Sequence, residues 1–323
     1  MKPEFSVIIP AYNEQEVIEE SYKRLTAVMS QINEPYELLF IDDGSRDKTA
    51  EKIAGICKRD KHVILIRFSR NFGHMPAITA GMDYARGSAV LVIDADLQDP
   101  PELFPKMIEK WREGYEVVYG VRSERKGETG FKKLTAGVYY RFLKRMTDVD
   151  LPVDTGEFRL IDRKVCNAIK RIKEKNRYMR GLVSWVGFKQ TAVEYVREKR
   201  FAGETKYPLT KMIKLAMDGI TSFSYKPLKL AANLGFGISA LSFIYLLIVL
   251  YQRLVSHTTA IGWASMVAIV LFSQGIVLMV LGLMGEYIGR IFEEIKGRPI
   301  YIVDEIVNED PDGENDREAA NGI

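Results

Sequence analysis

Short apolar runs alternate with helix-patterned stretches along the first 120 residues. "FSVIIP", "YELLFIDD", "VILIRFS", "AVLVIDAD" and "EVVYG" are β-rich and end at breakers. Helical patterns between them begin near Glu16, Asp47, Met75 and Pro101. The runs are almost continuously hydrophobic, which predicts a parallel sheet covered on both faces. Strand–helix alternation at this spacing predicts right-handed βαβ units and an α/β fold. Ligands of such sheets bind beyond the carboxyl ends of the strands. Polar residues gather there: Tyr12, Asn13 and Glu14 after the first run, Asp42 to Ser45 after the second, and Asn71 to His74 after the third. Asp94 to Gln98 follow the fourth run and Arg122 the fifth.

The pattern changes after residue 205. Leu230 to Tyr251 carries no charge, and neither does Gly262 to Gly285. Each exceeds the roughly 20 residues that span a bilayer core of about 30 Å. Lys226 and Lys229 precede the first stretch; Arg290, Lys296 and Arg298 follow the second. The positive-inside rule then predicts a multi-pass cell-membrane protein with both flanks cytoplasmic and the linker outside. No signal-peptide pattern precedes Phe5, so the N-terminal part is expected in the cytoplasm. "KYPLTKMIKLAMDGITSFSYKPLK" interleaves Lys211, Lys214 and Lys226 with Leu209, Met212, Ile213, Leu215, Ile220 and Phe223. That pattern predicts an interfacial amphipathic helix on anionic lipid. Lys132 to Arg145 reads equally as a second such helix or as core. The organisation expected is a cytoplasmic α/β domain at 1–205 and juxtamembrane helices at 206–229. Spans at 230–251 and 262–285 follow, then a helix and short strand at 286–303 and a disordered acidic tail at 304–323.

Composition narrows the partners. Lys and Arg total 46 against 43 Asp and Glu, a formal net charge of +3 that does not point to nucleic acid. Cys57 and Cys166 lack metal-like spacing and fit reduced, packed thiols. His62, His74 and His257 are too scattered for a zinc site.

"VLVIDADLQDPPE" ends an apolar run on Asp94 and Asp96. Alternation along a strand would aim both carboxylates to one side. Like charges so close need something positive between them, and hard divalent cations prefer oxygen ligands. Taken singly, the pair also reads as solvated aspartates, "DDGS" as a capping turn and "AYNE" as a plain loop. His74 equally fits a cap or a packed side chain. Their succession along one rim is what points to a site. Neither a G-x-G-x-x-G fingerprint nor a Walker lysine motif accompanies it, which disfavours dinucleotide and P-loop chemistry.

"VIIPAYNE", "LLFIDDGSRDKT", "RNFGHMPAITAGMDYARG", "VIDADLQDPPE", "YGVRSER" and "DTGEFRLIDR" together resemble the family 2 glycosyltransferases of the GT-A fold. Within them the chain is most similar to bacterial polyprenyl-phosphate glycosyltransferases, relatives of dolichol-phosphate mannose synthase. The resemblance extends through both apolar stretches to "GEYIGRIFEEIKGRPIYIV". It implies inverting transfer of glucose or an N-acetylhexosamine from a UDP-sugar to undecaprenyl phosphate. Pro10, Tyr12, Glu14 and Asp42 would hold uracil and ribose, and Asn71 and His74 would face the donor. Asp94, Asp96 and Gln98 would coordinate Mg²⁺ or Mn²⁺ on the diphosphate. Asp154 would be the catalytic carboxylate, with Arg159 supporting its loop or the phosphate. A phosphate acceptor needs cations of its own, for which Arg122, Arg125, Arg200 and Lys206 are candidates. Two other functions bear on the same features: a processive polysaccharide synthase and a catalytically inactive nucleotide-sensing scaffold. The first is disfavoured by the missing Q-x-x-R-W motif, the second by the intact aspartates. Pro299 to Val303 predicts a strand with no obvious partner in its own chain, hence a homo-oligomer; similar proteins suggest a tetramer.

Overall fold

The computed structural model describes residues 2–124, 155–196, 226–254 and 262–308. The chain divides into two units, one holding the sheet and the other spanning Ile213–Gly297. Eight strands form a single sheet: β1 (Phe5–Ala11), β2 (Tyr36–Asp42), β3 (Val63–Phe68), β4 (Ala89–Val92), β5 (Val117–Glu124), β6 (Thr155–Asp162), β7 (Gln190–Val196) and β8 (Val303–Val307). Their spatial order is β7-β5-β6-β4-β1-β2-β3-β8. β1 to β4 pair in parallel, as the hydrophobic runs predict, and β7 is parallel to β5. β6 enters antiparallel between β4 and β5, and β8 runs antiparallel along β3.

Strand alternation divides the core into two layers. Val7, Ile9, Leu38, Phe40, Leu65 and Leu91 meet helices α1 (Ile18–Ile32), α2 (Thr49–Cys57) and α4 (Phe104–Arg112). Ile8, Leu39, Ile41, Ile66, Val90 and Val92 meet α3 (His74–Tyr84), α5 (Arg163–Lys170) and α6 (Met179–Trp185). α3 approaches β1 so closely that a Cβ at Gly81 would fall 2.2 Å from Ile8 Cγ2. Local chemistry sets the helix ends. Asn33 stops α1 in the left-handed region at a φ of 58°, and the Asp162 carboxylate accepts the Lys164 N–H to start α5.

Two expectations change here. β4 ends at Val92, so Asp94 and Asp96 leave the sheet in a turn instead of sharing a strand face. The terminal strand is Val303–Val307, which takes in the first four residues of the expected tail. It has a partner in its own chain, β3, and the reason for assigning it to a neighbouring subunit disappears.

In the second unit the described residues form two long helices, α7 (Lys226–Leu254) and α8 (Trp263–Ile295). Phe236, Phe272 and Met279 are among their many exposed large apolar side chains. Among the described residues one stretch, Phe272–Ile295, is long and apolar enough to cross a bilayer; Ala231–Tyr245 is apolar but shorter. The expected span at 230–251 falls within α7, and that at 262–285 falls within α8 apart from Gly262, which precedes the helix. The amphipathic segment before Lys226 lies outside the described residues.

Candidate active site at the strand ends

Three loops beyond β1, β2 and β3 are laced together by side chains bonded to backbone. The Asn13 N–H donates to Ser45 Oγ at 2.9 Å, and the Asn13 side-chain oxygen accepts the Arg46 N–H at 2.9 Å. The Glu14 N–H donates to Thr49 Oγ1 at 2.8 Å. Asn13 takes a left-handed φ of 53°, a conformation asparagine tolerates. Pro10 is buried, and Tyr12 and Glu14 are half-buried.

The adjacent aspartates of "DDGS" do different work. Asp42 has no exposed surface; it accepts from the Ser45 N–H at 3.3 Å and lies 3.8 Å from Arg67 Nε. In this structure it therefore supports the loops beyond β1 and β2 from beneath, without a face of its own for a ligand. Asp43 reaches across to the β3–α3 loop. Its carboxylate accepts the N–H groups of Phe72 (2.7 Å) and Gly73 (2.9 Å) and the Asn71 amide (2.9 Å). Burial raises both carboxyls above their ordinary range, against the hydrogen bonds that favour the charged form. Gly44 makes this crossing possible: at a φ of +65°, a Cβ there would lie 2.4 Å from the Arg70 carbonyl carbon.

The clamped loop delivers His74 to Asp94, with Nε2 3.5 Å from Oδ1. A third of the Asp94 side chain is exposed, but Oδ1 is sealed and has no hydrogen-bond partner. Burial pushes the Asp94 carboxyl up; His74 opposes this, and Asp96, Asp99 and Glu157 add to it. Asp96, 9% exposed, accepts the Gln98 N–H at 3.2 Å, in a turn where Leu97 takes a φ of 57°. Among the described residues no group of three or more His, Cys, Asp or Glu forms a closed metal centre. Two carboxylates, one with a sealed, unpartnered oxygen, fit a hard cation whose remaining ligands come from a bound molecule.

The opposite wall is built by β6, α6 and β7. Glu157 is ion-paired to Arg159 Nη2 at 3.0 Å and to Arg180 Nε at 2.9 Å. Burial would raise the Glu157 carboxyl, but the two guanidinium groups outweigh it and hold the group below its ordinary value. Arg159, buried, also donates to the Gly156 carbonyl at 2.9 Å. Buried Asp99 accepts the Tyr195 hydroxyl and lies 3.9 Å from Arg122 Nη2, while Arg122 Nε donates to the Tyr195 oxygen at 3.3 Å. Burial and then the Asp99 charge drive the Tyr195 phenol upward.

Pro10, Tyr12, Glu14, Asp42, Asn71, His74, Asp94, Asp96, Gln98, Arg122 and Arg159 thus sit at or just behind one rim. Asp154, Arg125, Arg200 and Lys206 lie outside the described residues. Sequence reading placed Asp43 on the rim without a role of its own and passed over Asp99, Glu157, Arg180 and Tyr195. Glu157 had a signal, since it shares a strand face with Arg159. Arg180 had none, because its partner is 23 residues away on another element.

The profile described as Glycosyl transferase family 2 matches residues 6–170, and that of the GtrB C-terminal hairpin matches residues 226–291. The chain belongs to glycosyltransferase family 2. It is 62% identical to the uncharacterised glycosyltransferase YkcC of Bacillus subtilis over 93% of both chains. It is 40% identical to the bactoprenol glucosyl transferase of Shigella phage SfII, covering 92% of this chain and 96% of that one. Among solved structures it is similar to glucosyl-3-phosphoglycerate synthase of Mycobacterium tuberculosis: 19% identity, TM-score 0.44, covering 68% and 78% of the two chains. The mostly parallel sheet is the GT-A-like α/β fold of this family, and the protein is a glycosyltransferase.

Proposed function

We propose that this glycosyltransferase moves glucose or an N-acetylhexosamine from a UDP-sugar to polyprenyl phosphate at the cytoplasmic membrane face, with inversion. The observation that carries the reading is the sealed, unpartnered Asp94 oxygen beside Asp96 and His74, at the rim of a family 2 sheet. The bactoprenol relatives and the matched C-terminal hairpin support a lipid acceptor and a membrane anchor. The apolar helices α7 and α8 are then the two spans, with both flanks cytoplasmic.

Pro10, Tyr12 and Glu14 hold the nucleoside, supported by Asp42, while Asn71 and His74 close the donor side. Asp94, Asp96 and Gln98 would hold Mg²⁺ or Mn²⁺, which would supply positive charge against the departing diphosphate. An acceptor phosphate is already mostly ionised near pH 7, its second pKa being about 6. Its oxygen attacks the anomeric carbon as the bond to the diphosphate breaks on the opposite face. Arg122, Arg125, Arg200 and Lys206 receive the acceptor phosphate. Arg159, bonded to the Gly156 carbonyl, steadies the loop carrying Asp154. Asp154 acts by orientation and charge, since little proton remains to be removed.

The test is to incubate membranes containing the protein with polyprenyl phosphate and a panel of UDP-sugars, then extract the lipid. A glycosylated lipid from UDP-glucose or a UDP-N-acetylhexosamine is expected; no lipid product from any member of the panel would overturn the reading. Asp154→Asn should lose at least about 10²-fold in turnover with no rescue between pH 7 and 9. Recovery toward wild type with alkalinity would show instead that proton removal was its role. Ser256→Cys should react with an impermeant thiol reagent from outside intact cells. Labelling only after the cells are opened would overturn the topology. Cys57 and Cys166 are both buried and give little background.

A further inference from the structure

The chain returns to the sheet after its two long apolar helices, and the returning segment touches the donor side of the rim by three routes. The first is aromatic. Tyr301 stacks on Phe68 at the end of β3, with ring centroids 5.1 Å apart and planes at 11°. Phe68 meets Phe72 edge-on at 5.7 Å. Phe72 donates its N–H to Asp43 and stands two residues before His74. The second route is polar: the Tyr301 hydroxyl donates to Asp83 Oδ2 at 2.9 Å. Asp83 lies near the end of α3, the helix that begins at His74. The third is ionic, Glu305 standing 4.0 Å from Arg67, which lies 3.8 Å from Asp42.

The strand geometry concentrates these contacts. The β3–β8 register shifts between Arg67 and Phe68, so Arg67 faces Glu305 while Phe68 faces Val303. Such a bulge re-aims the side chains beside it. The Ser69 N–H donates to the Ile302 carbonyl at 3.1 Å above the bulge. At the other end Asn308 donates its amide to the carbonyls of Cys57, Asp60 and Val63, at 3.3, 3.2 and 2.9 Å. The segment is fastened at both ends, and its middle bears on the residues that hold the donor loop.

We propose that Tyr301–Asn308 is a strap that positions the donor-side loop Asn71–His74, and that Tyr301 is its main positioning residue for donor binding. The strap rests on the donor site assigned above, and it deepens that site by adding residues some 230 positions away in sequence. Tyr301 touches no donor group; it acts through Phe68, Phe72 and α3. Binding of the nucleotide therefore depends on a segment the chain reaches only after its membrane-anchoring helices.

The test uses the full-length protein in detergent, with UDP and Mg²⁺ as the probe. Removing a stacked ring in Tyr301→Ala should weaken UDP binding roughly three- to tenfold, with kcat at saturating donor unchanged. Amide exchange at Phe72, Gly73 and His74 should quicken while β1 and β4 stay protected. Tyr301→Phe, which keeps the stack, should fall close to wild type, and Asp83→Asn should give a smaller change of the same kind. Unchanged exchange at residues 72–74 in Tyr301→Ala would overturn the strap, as would loosening of the whole sheet together or faster exchange with UDP affinity intact. A wild-type protein that binds no UDP would break the donor assignment instead, and the exchange data would still decide whether the strap holds the loop.

Discussion

The two walls of the rim put the same chemical group, a carboxylate, to opposite ends. On the β1–β4 side, Asp42 meets the Ser45 N–H and Arg67, Asp43 meets the loop N–H groups of Phe72 and Gly73, and Asp94 meets His74 and other carboxylates; burial raises all three. On the β6 side, Glu157 is also buried but lies between Arg159 and Arg180, and its carboxyl is lowered. On the first wall burial outweighs the cations at hand, Arg67 beside Asp42 and His74 beside Asp94; on the second, two guanidinium groups outweigh burial. A buried charge without a partner is costly, and it persists where a ligand supplies the partner. Under the function proposed above, the first wall is the one that would receive a cation, and the second carries its own countercharges.

The largest expected effect breaks the first wall. Asp96→Ala should reduce turnover by about 10³-fold and remove metal-dependent UDP binding, while the protein folds and inserts normally. Activity that survives excess EDTA would show that the carboxylates do not serve a divalent cation.

Glu157→Gln breaks the second wall in a different way. It leaves Arg159 buried without a countercharge, which should cost about 3 kcal/mol of stability, read as a lower denaturant midpoint. The pH dependence gives the sign. A carboxyl lowered in the folded state contributes stability that is complete above its ordinary pKa and is lost as pH falls through the lowered value. The variant should thus differ most from wild type near neutrality and converge on it in acid. A constant gap across that range would mean the ion pairs contribute nothing.

Asp43→Asn sharpens the contrast, because an amide cannot accept from all three loop donors. A loss of about tenfold in UDP affinity is expected by titration. Unimpaired binding would mean the β3–α3 loop holds its shape without the clamp. The smallest effect should come from Tyr195→Phe, which deletes one hydroxyl from Asp99 but leaves Arg122 nearby. About 1 kcal/mol of stability is expected to go, with donor affinity unchanged; a large catalytic defect would give this pair a role at the reacting groups.

Much of the first wall was legible in the chain. Tyr12, Asn71, His74 and Asp96 lie at ends of strands that near-continuous apolar runs announce, and the rule about carboxyl ends places them without coordinates. Asp42 was readable as a rim residue but not as a sealed one, since its surroundings include Arg67 of the neighbouring strand β3 as well as the turn at Ser45. The second wall was legible only in Arg122 and Arg159. Of its other members, Asp99, Arg180 and Tyr195 come from the turn after β4, from α6 and from β7, and most of the pairs cross between elements.

By itself, the sequence determined which segments become strands and helices in the first 120 residues, that both sheet faces are covered, and that two long apolar helices follow. Those properties are local: periodicity and breakers act within one turn or one strand. The tertiary structure alone decided that β6 inserts antiparallel between β4 and β5, that β8 returns to the edge of β3, and which carboxylates are compensated. Alternation says which face of a strand is buried but not which edge it joins. The direction of a pKa shift depends on charges brought within a few ångströms by segments far apart in the chain.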